Sequence, residues 1–170
     1  MKRWVITLMI GALCTFSLAV ATSPVNAEDD NKLSISVAFG RGLNTQLPPG
    51  NAVNNIVIPD QIKLKQDGVV HFLVAGFHQI VVYNPGKTDD DVVVPGTGTF
   101  INDTNDQFYS GIVPAGGPPP GLPVTTDPSN ARNRVESVSF PAPGKYLVIC
   151  NVRGHFNDGM FGYVRVLPGK

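Results

Sequence analysis

The sequence predicts an all-β protein whose strands form a sandwich of two sheets. Apolar and polar residues alternate in several short segments, as between Leu33 and Phe39, and this is the pattern of a strand with one buried face. Turn-forming residues, such as Gln66-Asp-Gly68, separate these segments. Seven or so strands of this kind, in a chain long enough for one domain, are typical of a β-sandwich.

The first 27 residues have the layout of a secretory signal peptide. Lys2 and Arg3 precede an apolar run, and small residues end the segment at Ala27. Cleavage after Ala27 fits best, with Ala21 as the alternative, so we expect the protein to be exported to the periplasm. The competing interpretation is an uncleaved anchor, because the apolar run is about long enough to span a bilayer.

Residues 28–170 are expected to form one domain. The expected strands cover residues 33–39, 56–58, 62–65, 69–74, 79–83, 135–140, 145–150 and 161–167. Residues 84–133 interrupt this series and are rich in proline and glycine, most densely at 116–121. Because this segment also contains apolar residues such as Val92, Ile101 and Phe108, we expect an irregular insertion that packs on the sandwich.

The charge balance argues against nucleic-acid binding. Residues 28–170 contain 11 Lys and Arg against 13 Asp and Glu, a net charge of −2, and the basic residues form no cluster. After the leader, no segment is long and apolar enough to cross a membrane, so we expect no stable membrane insertion once the leader is removed.

The main functional signal is the spacing Cys-x4-His-x4-Met formed by Cys150, His155 and Met160. It lies between two apolar segments that predict strands. A thiolate, an imidazole and a thioether on one short loop suit a soft metal, copper in particular. A fourth ligand has to come from elsewhere, and His78, at the end of an apolar stretch, is the best candidate. His71 is then left outside the site.

Copper fits these residues better than zinc does. Two His and one Cys around a metal, with a long and weak Met contact, is the arrangement of blue-copper electron-transfer sites. Zinc takes Cys, His or carboxylate ligands, and Met is a poor ligand for it. Cys150 shares a strand face with Tyr146 and Val148, so its sulfur should lie in an apolar environment. Cys150 is also the one cysteine after the leader, and ligation to a metal would protect a thiol that cannot form an internal disulfide.

Two blocks of the chain, residues 59–78 and 140–160, resemble the cupredoxins, the family of plastocyanin, azurin and rusticyanin. The first block is similar to the strand pair that delivers the first copper histidine, and the second is similar to the ligand loop, with a spacing most like that of rusticyanin. The resemblance implies a Greek-key β-sandwich that holds one mononuclear copper ion. It also implies equatorial ligands at His78, Cys150 and His155 and an axial ligand at Met160.

Two positions depart from the family pattern. Gln79 stands where many cupredoxins have an Asn that ties the two ligand loops together, so we expect a different tether. Ile149 stands where plant plastocyanins have a Tyr that serves a remote docking patch. Electrons are therefore expected to pass through the exposed edge of His155, which Phe77, Phe156 and Phe161 should frame.

The expected function is a monomeric carrier of single electrons that cycles Cu(II) and Cu(I). Its expected partners are redox proteins such as c-type cytochromes or a terminal oxidase or reductase. The alternative is copper delivery or sequestration through the same ligands. An enzyme is disfavoured, because copper oxidases and nitrite reductases need more than the three histidines present.

Overall fold

The computed structural model describes residues 32–40, 55–114 and 133–169. Over these residues the chain forms nine strands, one short α-helix and one 3-10 turn. The strands are β1 (Ser34–Phe39), β2 (Val57–Ile58), β3 (Gln61–Lys65), β4 (Gly68–Ala75), β5 (Ile80–Tyr83), β6 (Gln107–Ser110), β7 (Asn133–Phe140), β8 (Gly144–Cys150) and β9 (Phe161–Leu167). The helix α1 is Arg153–Asn157, and the 3-10 turn is Asp89–Asp91.

The strands form two mixed sheets. Sheet A has the order β2-β1-β4-β7, and sheet B has the order β3-β9-β8-β5-β6. Each sheet contains one parallel pair, β1 with β4 and β3 with β9, and the other neighbours are antiparallel. The predicted β-sandwich is therefore confirmed.

Alternation along the strands places the main core between the two sheets. On β4, Val70, Phe72 and Val74 are fully buried, while His71 and Leu73 lie on the outer face of sheet A. On β8, Tyr146, Val148 and Cys150 join the same core, as the alternation predicts.

The outer face of sheet B is covered as well. Leu147 and Ile149 point to this face and pack in a second cluster with Val92 and Ile101. Val92 and Ile101 belong to residues 84–114, the described part of the proline- and glycine-rich segment. Because both faces of sheet B are covered, β8 is buried along Tyr146 to Cys150 rather than alternating with solvent.

Two elements were not predicted from the sequence. Strand β6 pairs with β5 and adds an edge to sheet B, although its two aromatic residues, Phe108 and Tyr109, are adjacent rather than alternating. Helix α1 forms inside the loop after β8, where Phe156 N–H donates to the Val152 carbonyl. The loop has to return to β9 within a few residues, and a single helical turn shortens the path.

Some predictions fall outside the described residues. These are the expected signal peptide, 1–27, and the run at 116–121. Where helices are described, none has both the length and the apolar composition that crossing a membrane requires.

Candidate metal centre

Pairing between β5 and β8 brings the first predicted ligand next to the second. Cys150 is the last residue of β8 and pairs with Ile80, the first residue of β5. His78 lies two residues before Ile80, in the link from β4. His78 and Cys150 are 72 positions apart in sequence, yet both are buried at the same end of the sandwich.

The loop between β8 and β9 brings in the third predicted ligand. His155 lies on α1, where its N–H donates to the Val152 carbonyl at 3.0 Å. Its own carbonyl accepts from Met160 N–H at 3.0 Å, and the Met160 carbonyl accepts from Cys150 N–H at 3.0 Å. The ligand loop is therefore closed by its own backbone before any metal binds.

The ligand atoms of these three residues form a compact triangle. His78 Nδ1 lies 3.1 Å from His155 Nδ1, and the Cys150 Sγ lies 3.6 Å from the first nitrogen and 3.7 Å from the second. A point inside the triangle lies about 2.0 Å from each of the three ligand atoms. This distance is the usual length of a zinc–imidazole bond, and zinc–thiolate bonds are about 0.3 Å longer. A first-row metal ion fits this triangle with only a small displacement of the sulfur.

The His78 ring is held in the orientation that a ligand needs. It hydrogen-bonds the Ala75 carbonyl. Because Nδ1 faces Cys150 and His155, we assign this bond to Nε2–H, and Nδ1 is then left with a free lone pair. Gly40 closes over the same edge of the ring: a Cβ at this position would lie 2.3 Å from the Ala75 oxygen and 2.8 Å from His78 Nε2.

Burial keeps both imidazoles neutral. It lowers the pKa of His78 to about 3, with the nearby His155 and Arg134 adding smaller contributions in the same direction. It also lowers the pKa of His155, although Asp158 opposes the effect. Both rings can therefore offer a lone pair at neutral pH without first losing a proton.

The thiol behaves differently. Burial raises the pKa of Cys150 to about 12, while hydrogen bonds from the Val152 and Gln79 amides oppose the rise. A metal ion has to displace the thiol proton, and the same two amides would then donate to the thiolate. Hydrogen bonds to the cysteine sulfur are one of the features that tune the potential of blue-copper sites.

Met160, the predicted axial ligand, is fully buried and belongs to the core cluster that contains Cys150. His71 lies elsewhere, on the outer face of sheet A, where its Nδ1 is 2.8 Å from Ser137 Oγ. Within the described residues, the group of side chains able to hold a metal consists of His78, Cys150 and His155. The structure therefore brings together the three predicted equatorial ligands and leaves His71 outside.

The tether between the two ligand loops is present, although Gln79 replaces the usual Asn. Asn151 Nδ2 donates to Gln79 Oε1 at 2.8 Å, and Asn151 N–H donates to the Gln79 carbonyl at 2.8 Å. Asn151 Oδ1 in turn accepts from Asn102 N–H at 3.0 Å. Sequence reasoning missed Asn151, whose position directly after Cys150 was the available signal.

A buried ion pair was also missed. Arg134 and Glu136 on β7 pair with each other, and Arg134 Nη2 donates to the His78 carbonyl at 3.0 Å. Along β7, every second residue is exposed. Arg134 and Glu136 therefore lie on the same inward face of the strand as the buried Val138 and Phe140. Charged residues in that register were the signal that could have identified the pair.

His155 reaches the surface at an end of the molecule that also carries several partly exposed aromatic side chains. The residue is half-buried, and four phenylalanines around this end of the molecule are also partly exposed: Phe77, Phe100, Phe156 and Phe161. They form two ring pairs, Phe77 with Phe100 and Phe156 with Phe161, with centroids 6.0 Å and 5.8 Å apart. His155, the half-buried ligand, is directly followed in the loop by one of these partly exposed rings, Phe156.

Neither a family model nor a curated protein matches the chain. Several solved structures do. Reduced auracyanin from Roseiflexus castenholzii has a TM-score of 0.48 and 18% identity, over 81% of this chain and 99% of auracyanin. Rusticyanin from Thiobacillus ferrooxidans has a TM-score of 0.44 and 16% identity, over 79% of this chain and 76% of rusticyanin. Plastocyanin from Dryopteris crassirhizoma has a TM-score of 0.41 and 17% identity, over 78% of this chain and 100% of plastocyanin.

The chain resembles the cupredoxins. This confirms the resemblance predicted from residues 59–78 and 140–160. The role of each residue is inferred from its own surroundings in this chain. Two neutral imidazoles and a buried thiol, arranged in a triangle beside a buried methionine, fit one copper ion.

Proposed function

We propose that the protein is a mononuclear blue (type 1) copper protein that carries single electrons between redox partners. The observation that carries this proposal is the triangle of His78 Nδ1, Cys150 Sγ and His155 Nδ1, whose three ligand atoms lie 3.1–3.7 Å apart. These residues would be the equatorial ligands, and Met160 the weak axial ligand. A copper ion bound there would supply the Cu(II)/Cu(I) couple.

The surroundings of the triangle support electron transfer rather than turnover of a substrate. His78 and Cys150 are almost completely buried, and Met160 is fully buried. This leaves no open position of the kind that a substrate-binding metal site requires. Rigid ligands also reduce the rearrangement that accompanies a change of oxidation state.

The half-buried His155 would be the point of electron exchange. The partly exposed phenylalanines around it offer an apolar surface for brief docking, and weak redox encounters use small interfaces. We propose that the partners are redox proteins such as c-type cytochromes or a terminal oxidase or reductase. We also propose that the carrier is monomeric.

The absorption spectrum of residues 28–170 with Cu(II) tests the proposal. We expect one copper ion per chain and an intense blue colour that disappears in Cys150→Ser. His71→Gln is the matched control, because it removes a histidine from the outer face of sheet A and should leave the colour unchanged. A colourless wild-type complex, or colour that survives Cys150→Ser, would refute the proposal.

Copper delivery is the competing function, and the enclosed ligands disfavour it. A carrier should give a reversible voltammetric wave and keep its copper when mixed with a competing chelator such as EDTA. A delivery protein should release the metal quickly. Rapid loss of copper to the chelator, without reversible voltammetry, would favour delivery.

We further propose that residues 1–27 are a cleaved signal peptide and that the mature protein is periplasmic. The mass of the protein recovered from the periplasmic fraction of an expressing bacterium tests this. A chain that begins at Glu28 is the expected product, and an uncleaved chain in the membrane fraction would contradict it.

A further inference from the structure

We propose that Arg134 is a positioning residue for the metal centre, one that holds the backbone of His78 and raises the reduction potential of the bound metal with its charge. This inference rests on the proposed function, because it assumes that the site holds a redox-active ion. It assigns a role to a residue outside the ligand set.

Arg134 connects the first ligand to the segment that follows β6. Its Nη2 donates to the His78 carbonyl and to the Ile112 carbonyl, both at 3.0 Å. The side chain is only 9% exposed. The bond to the His78 carbonyl is therefore partly shielded from water, where a charged donor is more effective, and the bond to the exposed Ile112 lies nearer the solvent.

Glu136 fixes the direction of the guanidinium. Its Oε1 accepts from Arg134 Nε at 2.6 Å, and its Oε2 accepts from the Tyr109 hydroxyl at 2.7 Å and from Ile112 N–H at 3.3 Å. Because the carboxylate is held at both oxygens, the planar guanidinium it binds has little freedom to turn away from His78.

Gly111 leaves space for the carboxylate of Glu136. A Cβ at residue 111 would collide with Glu136 Oε2, so any larger residue there would have to displace the carboxylate from its place beside Arg134. The Gly111 carbonyl also accepts from Gln79 Nε2 at 3.1 Å. Gln79 thus bonds Gly111 directly, and His78 is joined to the next residue, Ile112, through Arg134.

Stabilising this part of the fold would not by itself require the charges of Arg134 and Glu136, because apolar side chains of similar size often replace a buried ion pair without loss of stability. Apolar side chains can neither donate to the His78 carbonyl nor place a positive charge beside the ligand. A positive charge favours the reduced ion, which carries one positive charge fewer, and so it raises the reduction potential. Glu136 opposes this effect, but its hydrogen bonds go to Arg134, Tyr109 and Ile112 rather than to a ligand.

Four variants of the copper-loaded protein test the inference: Arg134→Met, Arg134→Lys, Glu136→Gln and the matched control Lys87→Met. Lys87 forms a similarly buried ion pair with Asp103, with side chains 8% and 0% exposed, and Lys87 Nζ also donates to the Asn105 carbonyl. The control therefore breaks a buried pair without removing a contact to His78. The readouts are the reduction potential and, in the copper-free proteins, the NMR shifts of the His78 and Gln79 backbone.

We expect the potential to fall in Arg134→Met, to rise in Glu136→Gln and to stay at the wild-type value in Lys87→Met. The fall in Arg134→Met follows from the loss of the guanidinium that donates to the His78 carbonyl, whereas the hydrogen bonds of Glu136 go to Arg134, Tyr109 and Ile112. Arg134→Lys keeps the positive charge but loses the planar guanidinium and its several N–H donors. Its reduction potential should therefore stay close to that of the wild type, while the NMR shifts of His78 and Gln79 move. Lys87→Met should leave these shifts in place.

The failures are distinguishable. A wild-type protein that does not turn blue refutes the proposed function itself. A blue wild-type protein whose potential is the same in Arg134→Met as in Lys87→Met refutes only the role of Arg134. If Arg134→Met does not fold, the other two variants decide: an unchanged potential in Glu136→Gln, together with unchanged shifts in Arg134→Lys, overturns the inference.

Discussion

The two histidines of the metal centre offer the same atom to the triangle from opposite surroundings. His78 is 3% exposed and lies in a link between two strands of the sandwich, with its ring bonded to the Ala75 carbonyl. His155 is half-buried and lies on a single turn of helix at the surface. One imidazole is held by the core, and the other is held by a loop.

In the proposed electron carrier, this difference would separate two requirements. A buried, fixed ligand keeps the geometry constant, and an exposed ligand gives the partner a short path to the metal. Arg134, Gln79 and Gly40 all support the His78 side, whereas the loop that holds His155 is closed by its own backbone bonds and tied through Arg153 to residues 96–99. The predictions below test this division, beginning with the largest expected effect.

Replacing each histidine with glycine should abolish the blue colour in both variants, but only one should recover easily. In His155→Gly, free imidazole can enter from solvent and restore the absorption. In His78→Gly the vacated site is enclosed, so restoration should need roughly tenfold more imidazole, a difference of about 1.4 kcal/mol in binding. Titration of the two copper-loaded variants with imidazole measures this. Equal recovery would show that the two sites are equally accessible.

Acid should destabilise the copper-free protein mainly through His78. Its pKa is about 3 in the folded protein and 6.5 in the unfolded chain, so the unfolded chain binds the proton more tightly. The free energy of unfolding is therefore highest above pH 6.5 and falls as the pH decreases toward 3, by ~3–5 kcal/mol in all.

Urea denaturation of the copper-free wild type, His78→Gln and His155→Gln between pH 7.5 and 4 tests this expectation. The pKa of His155 is also lowered by burial, so its contribution has the same sign, but it is smaller because the ring is partly solvated. The His78 variant should therefore show the flatter pH dependence. Equal slopes in the two variants would contradict the comparison.

Sequence reasoning identified the ligand triangle because two of its residues lie next to strands that the alternation predicts well, and His155 follows Cys150 in the spacing Cys-x4-His-x4-Met. Cys150 ends a buried strand, His78 precedes another, and pairing of these two strands follows from the sandwich. Strand β6 could not be predicted in the same way. Phe108 and Tyr109 are adjacent in a proline- and glycine-rich segment, and they become a strand because β5 offers an unpaired edge.

The supporting residues were missed for a different physical reason. Asn151 and Arg134 act through hydrogen bonds to Gln79 and His78, which are 72 and 56 positions away in sequence. Such partners become visible only when the fold places them together. Helix α1 was missed because its residues show no helical periodicity and its bonds depend on where the loop must end.

Adding one methyl group at Gly40 should disturb the His78 side selectively. Gly40 has φ +95°, and a Cβ there would lie 2.3 Å from the Ala75 oxygen and 2.8 Å from His78 Nε2. Gly40→Ala should therefore cost ~2–4 kcal/mol of unfolding free energy and weaken copper binding, because strain and overpacking add.

Gly86→Ala is the matched control for this change. Gly86 has φ +106°, but nothing lies within 4 Å of the added Cβ, so only the backbone strain applies. Urea denaturation and copper titration of both variants separate strain from crowding. If Gly86→Ala loses as much copper affinity as Gly40→Ala, contact with the His78 ring is not the cause.

The smallest expected effect is at the tether between the two loops. Asn151→Ala removes the buried bond to Gln79 Oε1 and the part-buried bond that Asn102 N–H donates to Asn151 Oδ1, at a cost of ~1–3 kcal/mol. Because Gln79 follows His78 directly, the NMR shifts of the His78 backbone in the copper-free protein should move more than those of His155.

Asn157→Ala, on the exposed side of the ligand loop, is the control and should leave the His78 shifts in place. A larger change at His155 than at His78 in Asn151→Ala would mean that the tether serves the surface loop, and the division between a core-held and a loop-held ligand would have to be abandoned.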